Sequence, residues 1–288
     1  MEVTLRQATV ADIPTLARIF AEAFRSVDEP HGFFFPDLVS VEAGTQMITS
    51  GVSTPGIYGV VAESGGQLLG SNFMDERDAV SGIGPISVDP KVQNRGLGRR
   101  LMQAVLERAR GAVSARLVQE AFHMRSMSLY ATLGFDVKEP LLLITGRPKS
   151  GPVVGVEVRR LAAEDVEECA ALCRRVHRFD RANQVRDASA AFVPFVALRG
   201  GRIVAYATEP THPFIGHGVA ETEADMKALL LGVAALRPAP IRILLPTRQA
   251  SLFRWLLAEG FRSMSPMTLM SIGEYQEPRG CWFPSILY

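Results

Sequence analysis

Ile86 and Val88 alternate with the polar Ser87, the period of a half-buried strand, and Asp89-Pro90 stops that run. Beyond it Leu97, Leu101, Ala104, Val105 and Ala109 recur at helical spacing, so the stretch reads as strand, turn, helix. The same two periods organise the chain around it. Val3 to Gln7 alternates as a strand, and Thr9-x-x-Asp12 has the form of a capping box. Pro14 then falls in the first turn of a helix whose apolar face is Ile13, Leu16, Ala17, Phe20 and Phe24. A short helix is predicted from about Val41 to Ser50, then a hairpin, Tyr58 to Glu63 and Gln67 to Met74, about a Gly65-Gly66 turn. Ala115 to Gln119 reads as a strand, Phe122 to Leu133 as a helix, and Phe135 to Thr145 as one or two strands.

Between the central strand and its helix sits Gln93-x-x-Gly96-x-Gly98. Glycines at a helix start let the backbone come close to a ligand, and the first helical N–H groups, lacking internal partners, point outward. The positive end of the helix then favours a phosphate, with Arg95, Arg99 and Arg100 adding charge nearby. No third glycine follows as in a dinucleotide fingerprint, and there is no Gly-Lys-Ser/Thr ending of a nucleoside triphosphate loop. Gly84-Pro85 interrupts the preceding strand, and proline removes a ladder hydrogen bond, so the strand is expected to bulge or part from its neighbour there.

This string, together with Leu129-Tyr130-Ala131-Thr132-Leu133-Gly134-Phe135 further on, resembles the GNAT superfamily of acyl-CoA-dependent N-acyltransferases. The resemblance implies an α/β architecture with a mixed, mostly antiparallel sheet flanked by helices. It also implies acetyl-CoA as cofactor, held by Ile86, Ser87 and Val88 of the strand and by Gln93, Asn94, Arg95, Gly96, Leu97, Gly98 and Arg99 of the loop, with coenzyme A as product. Tyr130 takes the place of the catalytic acid, since a departing thiolate needs a proton and a phenol can donate one. Where the family often has Asn seven residues before that tyrosine this chain has His123, and Ser126 occupies the usual alanine; both are expected against the pantetheine arm.

The acceptor side is less sharply drawn. His31-Gly32-Phe33-Phe34-Phe35-Pro36-Asp37 is too apolar for an idle loop. Phe33, Phe34 and Phe35 either plug the core or, as the resemblance implies, wall the acceptor pocket. Asp75, Glu76 and Asp78 end the hairpin, either as a solvated turn or facing the cleft; Glu76 is the expected general base, directly or through water, and Asp75 a substrate contact.

Gly146 to Pro152 is rich in turn formers, after which the sequence repeats itself. Val3-Thr4-Leu5-Arg6 and Asp12-Ile13 return as Val156-Glu157-Val158-Arg159 and Asp165-Val166, Gly65-Gly66 as Gly200-Gly201, and Leu133-Gly134-Phe135 as Glu259-Gly260-Phe261. Two tandem folds follow: a catalytic domain over 1–146 and a degenerate copy over 154–288. The copy has Phe214 to Glu221 where a cradle should stand, and Leu256 where the first half has Tyr130. Glu221, Glu223 and Asp225 would repel a second pyrophosphate. Its expected roles are burying surface, shaping the acceptor cleft or dimerising, and His212 and His217 are read as capping or lining a loop.

The chain has 288 residues, 47% hydrophobic and 21% charged, with net charge +1, the balance of a soluble globular protein. Bulk charge implies neither nucleic acid nor membrane as partner, and no run of eighteen apolar residues occurs. With no targeting segment read at the start, a cytoplasmic location is expected. Three cysteines are too few for a disulfide framework. Cys169, Cys173 and His177 share a helix face, but two or three ligands from one helix leave a metal site incomplete, so buried residues and no metal are expected. The activity expected is transfer of an acetyl group from acetyl-CoA to a primary amine of a small molecule in a ternary complex, with a homodimer left open; a non-catalytic acyl-CoA-binding module is the alternative.

Overall fold

A computed structural model describes residues 2–36 and 39–288; Asp37 of the phenylalanine segment lies outside the described residues. By contacts the chain divides into two units, 1–117 with 122–135 and Leu287, and 118–121 with 136–286 and Tyr288. Along the chain run β1 (Thr4–Gln7), α1 (Ile13–Asp28), α2 (Val41–Ser53), β2 (Ile57–Ser64), β3 (Gln67–Asp75), β4 (Val80–Ile83), β5 (Ser87–Val88), α3 (Leu97–Arg108), β6 (Ser114–Glu120) and α4 (Met124–Thr132). They continue with β7 (Asp136–Gly146), β8 (Glu157–Arg160), α5 (Val166–His177), α6 (Ala182–Ala191), β9 (Phe195–Arg199), β10 (Arg202–Ala207), β11 (Gly218–Ala220), α7 (Glu223–Leu236), β12 (Ile241–Pro246), α8 (Ala250–Ala258), β13 (Arg262–Gly273) and β14 (Cys281–Phe283).

In the first unit the strands lie in the order β1-β2-β3-β4-β6, antiparallel except where β4 pairs β6 in parallel. Leu16 of α1 and Ile48 of α2 pack with Val61 and Phe73 on one face of this sheet. On the other face Asn72 donates to the sulfur of the buried Met102 of α3 at 3.3 Å. The expected interruption at Gly84-Pro85 is present: β4 and β5 are separate strands and both pair β3.

In the second unit β8 to β11 and β14 form one sheet in the order β14-β11-β10-β9-β8, and β7 lies between β13 and β12. The sequence repeat reappears as a repeated local device. Arg6 makes two 2.8 Å hydrogen bonds to Asp12, whose carboxylate also accepts from the Thr9 N–H. Arg159 grips Asp165 at 2.6 and 2.9 Å, and Asp165 accepts from the Ala162 N–H at 2.7 Å. Both carboxyls are held below the usual range chiefly by that arginine, Asp12 at about 2. Each pair ties a first strand to the helix after it, so the resemblance between halves extends to how each begins.

Candidate active site

β5 sets one wall of the site. The Asp89 N–H donates to Leu69 O at 2.9 Å, and Ser87 lies opposite Ser71, so by the alternation of an antiparallel ladder the backbones of Ile86 and Val88 face away from β3. β4 meets β6 only from Val80 to Gly82, and β5 pairs β3 alone. The strand therefore leaves an extended backbone edge on which another extended group can bond.

The loop that follows is folded to keep a helix start open. Asp89 caps its first turn by accepting from the Lys91 N–H at 2.9 Å, and Asn94 and Gly96 both take positive φ, 66° and 79°. At Gly96 that conformation favours glycine. It is also the N-cap residue of α3, so no side chain bonds the first turn. The first helical bond runs from Arg100 N–H to Gly96 O at 3.1 Å, which leaves the amides of Leu97, Gly98 and Arg99 without an intrahelical acceptor. A Cβ at Gly96 would meet nothing within 4 Å, and one at Gly98 would touch only Leu129, at 3.6 Å.

Arg125 of α4 braces this loop, donating to Asn94 Oδ1 at 2.5 Å and Gln93 Oε1 at 2.9 Å, while Gln93 Nε2 donates to Val88 O at 3.1 Å. Gln93 and Asn94 thus use their side chains to shape the loop. Arg99 turns to Thr132 and Arg100 to Val3 O, whereas Arg95 stays exposed at the loop crest.

Tyr130 lies on α4 with only 6% of its surface exposed, its ring edge-on to Phe135. Burial pushes the phenol up to about 12, with the nearby Ser126 acting in the opposite direction. Ser126 Oγ is 2.6 Å from His123 Nδ1. His123 is held below its ordinary pKa by burial first, then by Arg125 and His31. Over the start of α4 lies the segment after α1: the Phe33 ring stacks on Phe122 at 4.7 Å and the His31 ring is 5.0 Å from it. Arg25 sits over Phe34. Phe33, Phe34 and Phe35 are all half-buried, and none belongs to the apolar cluster of Leu16, Ile48, Val61 and Phe73.

Two of the hairpin-end carboxylates sit in ion pairs. Asp75 is buried against Arg77, and Glu76 has both oxygens on Arg108, at 2.8 and 2.6 Å. Two groups had not been singled out in the sequence. Arg125 carries no local signal, because its partners stand about thirty residues upstream. Asp28 does carry one, falling on the apolar stripe of α1 four residues after Phe24. It is 2% exposed, with Oδ1 lacking a hydrogen-bond partner among the described residues, and burial lifts its carboxyl to about 7 against the opposing effect of His31.

The second unit offers no such opening at its corresponding helix. Thr222 caps α7, accepting from the Asp225 N–H at 3.2 Å, and Glu221 is held by Arg175 and Arg202. Leu256 is fully buried. Cys169, Cys173 and His177 are buried in α5, and His217, buried just ahead of β11, bonds Tyr206 and Thr208. Among the described residues no group of three or more His, Cys, Asp and Glu is placed to hold a metal ion, and no helix is long and apolar enough to cross a membrane.

A model of the acetyltransferase (GNAT) family aligns with residues 16–135. A mycothiol acetyltransferase from Beutenbergia cavernae is 35% identical over 119 residues, which span 40% of this chain and 38% of that protein. Among solved structures, a putative acetyltransferase from Pyrococcus horikoshii superposes with a TM-score of 0.70 at 17% identity, covering 97% of this chain and 94% of its own. A tandem GNAT protein from the clavulanic acid biosynthesis pathway gives 0.58 at 13% identity, covering 99% of this chain and all of its own. At such identities the superpositions establish the fold, a mixed, mostly antiparallel α/β arrangement, and within it residues 16–135 match the acetyltransferase (GNAT) family model.

Proposed function

We propose that this chain transfers an acetyl group from acetyl-CoA to a primary amine of a small molecule, with both reactants held together. The observation that carries the reading is an uncapped, glycine-lined helix start at Gly96 whose loop is braced by Arg125 from the same helix that bears the buried Tyr130. The residues fit the group: nothing stands where a side chain at Gly96 would project, and the backbones of Ile86 and Val88 are turned outward. In this reading the amides of Leu97, Gly98 and Arg99, with Arg95, hold the diphosphate, and β5 bonds the extended arm. Acetyl-CoA supplies a thioester carbonyl and a sulfur that leaves as thiolate.

A tyrosine is protonated at neutral pH and burial, which pushes Tyr130 up to about 12, keeps it so, leaving the phenol present as an acid when the thiolate departs. Phe33, beside Phe122, walls the acceptor side with Phe34 and Phe35. The amine proton is assigned to water, since both oxygens of Glu76 are engaged by Arg108. Holding both reactants in one cleft contributes much of the rate.

The test is to incubate the protein with acetyl-CoA and a panel of amines and follow free thiol. Thiol release with at least one amine is expected, with Tyr130→Phe slowing single turnover by about 10²- to 10⁴-fold and leaving coenzyme A affinity intact. Glu76→Gln should leave that rate unchanged; a loss comparable to that of Tyr130→Phe returns the base role to Glu76. Tight coenzyme A binding without turnover on any amine would instead make the chain a non-catalytic acyl-CoA-binding module.

A further inference from the structure

In the first unit the segment after α1 roofs an opening between strands. β4 pairs β6 in parallel only from Val80 to Gly82, and past that point β5 keeps to β3. α1 lies on the β5 side, where Arg18 Nη2 is 4.0 Å from Asp89 Oδ2. Phe122, which follows β6, stands on the other side and meets the rings of His31 and Phe33. The chain from Asp28 to Phe33 therefore crosses the opening. Asp28, the last residue of α1, begins that crossing, its carbonyl accepting from the Phe33 N–H at 3.0 Å.

Three buried oxygens of α1 and the strands beneath it are unpartnered among the described residues. One is Asp28 Oδ1. The others are the hydroxyls of Ser71 and Ser87, which face each other across β3 and β5 on the side where Phe73 packs on Leu16 of α1. Leaving such atoms unpaired is costly, so their gathering under α1 marks a place that a ligand's N–H groups would satisfy. Among the described residues no group of three or more His, Cys, Asp and Glu is placed to hold a metal ion there, whereas the rings of Phe33 and Phe122 suit an organic cation.

We propose that Asp28 is the acceptor-recognition residue, its carboxylate pairing with the acceptor's ammonium beside Phe33 and Phe122 and so selecting a small alkylammonium over an alcohol or thiol of the same shape. The inference rests on the transfer reaction proposed above and names the acceptor's class. A primary amine reaches the protein at neutral pH as its ammonium, with three N–H donors to offer. In the ligand-free protein burial lifts the Asp28 carboxyl to about 7, and among the described residues only the charge of His31 opposes that shift. An arriving ammonium supplies the missing counter-charge. The Asp28 O–H bond breaks, its proton goes to water, and an ammonium–carboxylate pair remains, with nothing oxidised or reduced. The ammonium's own proton still leaves to water when the nitrogen attacks.

Carbon-13 NMR of the Asp28 carboxyl at pH 6 reads the pairing directly. Butylammonium chloride should move the resonance from the acid toward the carboxylate position, while butanol and sodium chloride of equal ionic strength leave it in place. A resonance that responds to none of them, or to all three alike, overturns the ammonium site. Kinetics give the second measurement, since asparagine keeps the size of the side chain and removes its charge. With the amine that releases thiol fastest, Asp28→Asn should raise the amine KM by about tenfold or more, while the rate at saturating amine and the acetyl-CoA Kd stay within about threefold. An unchanged amine KM, or a loss confined to acetyl-CoA affinity, sinks the proposal. If the unmutated protein releases no thiol with any amine yet butylammonium moves the resonance, the transfer reading falls while the ammonium site stands. Normal turnover with a silent resonance overturns the ammonium site alone.

Discussion

Asp28 should make this protein less stable as pH rises, and Asp28→Asn should abolish the effect. Its carboxyl is 2% exposed, Oδ1 has no hydrogen-bond partner among the described residues, and burial lifts it from the usual 3.8 to about 7. An acid raised in the folded state binds its proton more tightly there than in the unfolded chain. Below pH 3.8 both states are protonated and the group is neutral to stability. Between 3.8 and 7 the unfolded chain ionises first, and folding loses about 1.4 kcal/mol per pH unit. Over the full window that is about 4 kcal/mol, and between pH 4.5 and 8 about 3 kcal/mol. Asparagine is nearly isosteric and does not titrate. Urea unfolding of both proteins at the two pH values should show the stability of Asp28→Asn relative to the parent growing by about 3 kcal/mol at pH 8. A relative stability that is the same at both pH values would mean that Asp28 is not held neutral.

Two further outcomes follow from glycines. Gly98→Val should leave the unfolding midpoint little changed, since a Cβ there meets only Leu129 at 3.6 Å, yet weaken coenzyme A by at least about tenfold in calorimetry by crowding the amides of α3. Gly82→Ala should cost about 1–3 kcal/mol in urea unfolding, because its Cβ would fall 1.9 Å from the Leu287 carbonyl oxygen; unchanged stability would contradict that contact.

Local features were legible in the sequence because they obey local rules. The strand-turn-helix around Gly96, the Gly65-Gly66 hairpin and the Thr9–Asp12 capping device each follow from spacing and turn chemistry, and each is present. What escaped was non-local. Nothing near Arg125 says that it reaches Gln93 and Asn94, and nothing near Glu76 says that Arg108, on the far end of α3, takes both its oxygens. The position of β7 between β12 and β13 is likewise a matter of pairing between residues far apart in the chain, such as Gly146 with Ile241 and Asp136 with Ser271. Asp28 was within reach: a carboxylate on the stripe of Phe20 and Phe24 is a polar group that burial will perturb.

The two halves begin alike, with Arg6 on Asp12 and Arg159 on Asp165, so their difference at the later helix isolates what an anion needs. At α3 the N-cap is a glycine and the first-turn amides have no side-chain acceptor; at α7 Thr222 supplies one, and Asp225 of the same turn adds negative charge, itself paired with Arg199. A helix start whose donors are already satisfied has little left to offer a phosphate, and acidic residues oppose it further. Thr222→Ala should therefore act as an ordinary cap deletion, costing about 1 kcal/mol of stability, while titration with coenzyme A still saturates at one molecule per chain with unaltered affinity. A second binding event in the parent protein, or affinity lost in Thr222→Ala, would show that the capped start had been holding ligand, and the assignment of binding to Gly96 alone would fall.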